Sequence, residues 1–83
     1  MSDYKIVVLQ RGWVAVGEYS EEGHHGELKE ANIIRRWGTT KGLGELAQGG
    51  PTPKTIMDFA GSIHFHLEGI IFTMDTERSK WPK

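Results

Sequence analysis

Two short β-branched runs near the N-terminus, YKIVVLQ at 4–10 and WVAVGEY at 13–19, are separated only by Arg11-Gly12. Four consecutive apolar residues, Ile6 to Leu9, leave the first run no polar face, which is the mark of a buried strand. The Arg-Gly step reads as a break or bulge, and Gly17 inside the second run as a bulge or a close-approach point. SEEGHHG at 20–26 is a polar loop with two glycines, so the chain is expected to turn there in a hairpin.

The remaining chain follows the same habit. ELKEANIIRRW at 27–37 opens with helix formers, but Asn32-Ile33-Ile34 and Trp37 favour a strand, with Ile33, Arg35 and Trp37 on one face and Ile34 and Arg36 on the other. One short helix is expected from about Lys41 to Gln48, capped by Thr39 or Thr40, with Leu43, Leu46 and Ala47 as its apolar stripe. Gly49-Gly50-Pro51 ends it. Residues 55–59 read as a short strand and Ala60-Gly61 as a turn. SIHFHL at 62–67 alternates as a strand, and IIFTM at 70–74 is the last one. The expected fold is mainly β with one short helix, a small, strongly bent antiparallel sheet or open barrel over residues 1–74. A polar tail follows over 75–83, which frays unless Trp81 docks on a neighbour.

Bulk properties narrow the function classes. The 83 residues include no cysteine, so neither a disulfide nor a thiolate metal site can support the fold. A domain this small buries only about 60% of its unfolded surface, and such chains often rely on a partner subunit. A net charge of −1 lacks the basic field of a general nucleic-acid binder. No apolar run approaches the ~20 residues of a membrane span, and the N-terminus lacks a cleavage-like end, so an intracellular location is expected.

IIRRWGTTKGLGELAQGG, residues 33–50, spends five glycines on an irregular segment. It gathers Arg35, Arg36 and Lys41, the hydroxyls of Thr39 and Thr40, and backbone N–H groups around Gly38, Gly42 and Gly44. A strand entering a glycine-rich turn and a helix start can receive an anion, arginine can grip phosphate bidentately, and Trp37 can stack on a flat ring. The spacing is neither that of a P-loop nor the full dinucleotide fingerprint. The competing reading makes Trp37 and Leu43 core, the arginines solvated and the glycines simple turns.

Other polar residues point less directly to chemistry. His64 and His66 share a strand face and can reach one zinc if His25, Asp58 or Glu68 supplies a third ligand; otherwise they are polar surface. A histidine row at a subunit boundary would make assembly pH-sensitive. His24 and His25 are adjacent and diverge, and receive no role. Thr39 or Thr40 with Lys41, and Asp58 with His64, are the only candidate catalytic pairs, and no spacing forces either together. No catalytic residue, metal or cofactor is therefore assigned.

The layout VVLQRGWVAVGEY, LKEANIIRRWGTTKGLGELA and IIFTMD resembles a family of small, uncharacterised bacteriophage and prophage proteins. In that family an N-terminal strand pair precedes an Arg-Arg-(Ile)-Trp element, a Leu-x-x-Leu-Ala-type short helix and a final apolar strand. The likeness covers most of residues 5–74 and is most specific at IRRWGTTKGLGELA. It implies a phage setting and carries no activity. Small phage proteins that are neither enzymes nor virion parts often antagonise host defence, some as oligomeric sponges for nucleotide-derived immune signals, which this chain is similar to in size rather than in motif. The resulting expectation is a non-enzymatic homo-oligomer that binds a phosphorylated nucleotide-like ligand in the cytoplasm of an infected host. The alternatives are a nucleic-acid binder, or a docking module anchored by Trp13, Trp37 and Trp81.

Overall fold

The computed structural model describes residues 3–39 and 42–81. Five strands form one antiparallel sheet: β1 (Asp3–Leu9), β2 (Val14–Glu22), β3 (His25–Arg36), β4 (Ile56–His66) and β5 (Ile70–Thr76). Their spatial order is β4-β3-β2-β1-β5. A short helix, α1 (Leu43–Gly49), lies between β3 and β4. The expected class, mainly β with one short helix and a bent, open sheet, is what the chain adopts.

The two edge strands, β4 and β5, are joined by only the 3₁₀ turn Leu67–Gly69. A flat sheet would hold them four spacings apart, about 19 Å, whereas the link reaches at most about 14 Å. It would also place their joined ends at opposite ends of the sheet, because His66 pairs beside His25 and Ile70 beside Leu9. The sheet must therefore curl. It bends where register slips: at Gly17 in β2, at Glu30 in β3 (φ 51°), and at Gly61 in β4 (φ 75°), which pairs with Ala31. A Cβ at Gly17 would lie 2.9 Å from the Lys29 carbonyl oxygen, so the close approach expected there is real.

Curling gives both sheet faces a core. Val7, Ala15, Leu28 and Ala31 are buried on the inner face, with Leu9, Ile33, Ile63, Phe65 and Ile70 packed around them. On the outer face Ile6, Val8, Val14, Val16 and Ile34 pack under Leu43, Leu46 and Trp81. Consecutive residues of IVV and VAV thus serve opposite cores, which is why these runs carry no polar alternation.

Several boundaries differ from the expectations. The β2–β3 hairpin turns on Gly23-His24 alone, with Gly23 at φ 61°, so Ser20 to Glu22 and His25-Gly26 belong to strands. The helix formers at 27–31 belong to the strand that Asn32-Ile33-Ile34 favoured, because pairing with both β2 and β4 outweighs local propensity. The expected turn at Ala60-Gly61 is a bend within one continuous strand. The helix begins at Leu43 rather than Lys41; its N-cap is Gly42, with no side-chain cap, so Thr39 does not cap it, and Thr40 and Lys41 lie outside the described residues.

The polar tail does not fray up to Trp81. That indole is buried in its own chain, and Nε1 donates to Thr76 Oγ1 at 2.9 Å, while the same hydroxyl donates to the Ala47 carbonyl at 2.7 Å. This relay ties tail, β5 and α1 together. Arg78 adds a fork, donating to Glu18 at 3.0 Å and Glu30 at 2.8 Å, and those two hydrogen bonds, Glu18 first, raise its pKa further. No helix among the described residues is long and apolar enough to cross a membrane.

Candidate functional site

The turn between β1 and β2 and the C-terminal end of β3 lie at one end of the sheet. There an open groove of about 490 Å³ is bordered by Arg11, Trp13, Ile33, Arg35 and Asp58. That volume is within the range small-molecule sites occupy. Ile33 packs against the inner core and is paired on both sides in the sheet, so the groove has an apolar wall.

Trp13 is 59% exposed, an unusual position for so large an apolar ring. Its carbonyl accepts the Leu9 N–H at 2.7 Å, closing the turn below it. Arg11 holds that turn with φ 68° and ψ 17°, a left-handed conformation that costs a non-glycine residue about 1 kcal/mol or more. Among the described residues its guanidinium makes no hydrogen bond or ion pair. Backbone strain at an unpaired cation on a groove rim is the kind of outlier that accompanies binding sites.

Arg35 and Asp58 face each other across β3 and β4. Arg35 Nε donates to Oδ2 at 2.9 Å and Nη2 to Oδ1 at 3.3 Å. The fork fixes the guanidinium plane and leaves Nη1 without a partner among the described residues. Two guanidiniums against one carboxylate leave the groove one net positive charge. It can therefore stack a planar ring on Trp13 and offer oriented N–H donors to an anion.

Among the residues singled out in 33–50, those that are described do not converge, and Thr40 and Lys41 lie outside the described residues. Arg35 enters the groove, while Arg36 and Trp37 are exposed beyond it. The backbone after Trp37 is fastened: Thr55 Oγ1 donates to the Trp37 carbonyl at 2.6 Å and Thr52 Oγ1 to the Gly38 carbonyl at 2.7 Å. Gly38 has φ 66°, and a Cβ there would overlap the Lys54 carbonyl group, so this glycine serves a close approach of the chain to itself. Thr39 is half-buried. Gly42 (φ 83°) precedes the helix, and Gly44 borders a separate shallow depression with Glu45, Gln48 and Gly49. The helix has only seven residues.

The histidines gather at the opposite end of β3. His24 stacks nearly parallel on His66 with centroids 6.2 Å apart, and His25 meets His66 edge-on at 5.4 Å. His24 and His25 therefore converge on one partner rather than diverging. His64 Nε2 lies 3.7 Å from Glu27. Asp58 pairs with Ile33 and His64 with Glu27, six positions apart along the strands, so these two do not form a catalytic pair. Among the described residues no three His, Asp or Glu side chains gather to hold a metal, and Asp58 is no third ligand.

Arg11 stood in the sequence only as a strand break, Trp13 only as an anchor of the docking alternative, and Asp58 only as a partner for histidine; none was placed beside Arg35. The available signal was the Arg-Gly break directly before an indole, where a polar turn would have served to reverse the chain. No protein-family model matches the chain, and no curated protein matches it in sequence.

Proposed function

We propose that this protein is a non-catalytic, homo-oligomeric binder of a phosphorylated, nucleotide-like ligand. It works in the cytoplasm of an infected bacterial host, where it sequesters a nucleotide-derived immune signal. The observation that carries the reading is the groove that the exposed Trp13 indole borders with two guanidiniums, one without a partner among the described residues and one bonded to Asp58. The indole takes the base, Arg11 takes phosphate, and Arg35 Nη1 takes a second oxygen. Binding is favoured over catalysis because the one carboxylate among the groove's described residues already spends both oxygens on Arg35. The class of signal comes by analogy with small phage anti-defence proteins, which this chain resembles in size and not in motif.

Native mass spectrometry of the purified protein with a panel of cyclic oligonucleotides and ADP-ribose-derived nucleotides tests this. Retention of an intact nucleotide, lost in Trp13→Ala and Arg11→Ala, is the expected result. Retention that survives both substitutions would move the site elsewhere. Release of an altered nucleotide would make the protein an enzyme.

A further inference from the structure

The sheet has two open edges, and their chemistry matches. β4 runs eleven residues, IMDFAGSIHFH, with no Lys, Arg or Pro, and β5 runs seven, IIFTMDT, again with none. Natural edge strands are usually blunted by such residues, because an edge presents unpaired N–H and C=O groups to any strand that arrives. Each edge carries a single carboxylate, and each is consumed within its own sheet: Asp58 by Arg35, and Asp75 by Lys5 at 3.0 Å. Each edge instead exposes apolar side chains, Phe59 (69%) on β4 and Ile71 (57%) and Phe72 (47%) on β5. The helix α1 approaches β5 at Met74 and Thr76, while Ile71 and Phe72 stay exposed.

Phe59 and Phe72 lie on the same side of the sheet. Phe72 pairs beside Val8 and Phe59 beside Asn32, in rows shared with Val14 and Val16 of the outer face. We infer that copies of this chain associate head-to-tail, with the β4 edge of one adding to the β5 edge of the next. Sheet continued this way satisfies both edges of every copy and brings Phe72 beside the next copy's Phe59 as a cross-strand aromatic pair. A two-fold pairing of β4 with β4 would leave every β5 edge, with Ile71 and Phe72, in water. Heterologous pairing that closes gives a ring. This rests on the homo-oligomeric part of the proposed function and is independent of its ligand.

The test uses ligand-free protein, so that failure of assembly and failure of binding are separable. Phe59→Lys blocks β4 and Phe72→Lys blocks β5, with Ile71→Lys as a second β5 variant should Phe72→Lys lose its folded circular dichroism spectrum. Native mass spectrometry is expected to show a multi-subunit wild type and a monomer for each variant. An equimolar mixture of a β4 variant with a ¹⁵N-labelled β5 variant should give a one-to-one dimer and nothing larger, because one intact β4–β5 junction survives in that pair. A monomeric wild type would overturn the inference. So would assembly lost in only one class of variant, or a mixture that stays monomeric.

Discussion

Arg35 and Asp58 form a two-pronged ion pair between β3 and β4, Nε to Oδ2 at 2.9 Å, on the rim of the groove that Trp13 borders. Both side chains are more than half exposed, so the pair contributes little to folding. Arg35→Ala should shift stability by no more than about 1 kcal/mol while weakening nucleotide affinity about tenfold or more, the loss of one charge-assisted contact. A urea titration beside a calorimetric binding titration separates the two effects.

Arg11 invites the opposite experiment. Glycine adopts its left-handed φ of 68° without steric cost. Arg11→Gly should raise stability by about 1 kcal/mol and at the same time remove a groove cation that has no partner among the described residues. A variant that melts higher and binds nucleotide worse would show that the strain is kept for the ligand. Unchanged binding would remove Arg11 from the site.

The Trp81–Thr76–Ala47 relay is a stability feature. Thr76→Val removes both hydrogen bonds and leaves the buried indole N–H without an acceptor. A cost of about 1–3 kcal/mol is expected, read as a lower urea midpoint, with the Trp81 emission moving toward that of a solvated indole.

Tyr19 gives a pH signature. Its pKa is pushed up to about 12, first by burial and then by its hydrogen bond to Glu21. The folded state thus holds the phenol proton more tightly than the unfolded chain, whose tyrosine titrates near 10.0. That contribution to stability is complete below pH 10 and is lost as pH rises toward 12. In a Tyr4→Phe background, phenolate absorbance should titrate late, and Glu21→Gln should bring its midpoint down.

The strands of the N-terminal half were readable because Ile6 to Leu9 and Val14 to Val16 admit no amphipathic helix. The bends were not, since Gly61 at φ 75° serves equally in a turn or within a strand, and only its pairing with Ala31 decides. Glu27 to Ala31 was ambiguous for a related reason: five good helix formers yield to partners on both sides, and Asn32-Ile33-Ile34 pointed to the strand that forms. The site was legible only at Arg35. Its partner Asp58 stands 23 positions away, and Trp13 reaches it through the β2–β3 register that sets Ala15 opposite Ile33, which no local motif encodes. Trp81 looked like a loose end because its acceptor, Thr76, is itself defined by the helix carbonyl above it.

The placement of β5 has a consequence for how the chain reaches this state. Its pairing with β1 joins residues 70 positions apart, as at Lys5 and Asp75, so the closure entropy of a long loop is met before that ladder is rewarded. During synthesis, β1 to β4 leave the ribosome before the segment that supplies Ile70 to the inner core and Met74 and Trp81 to the outer one. A nascent chain at that stage has unfilled cores on both faces and a bare β1, the kind of species that meets its own copies before it is finished.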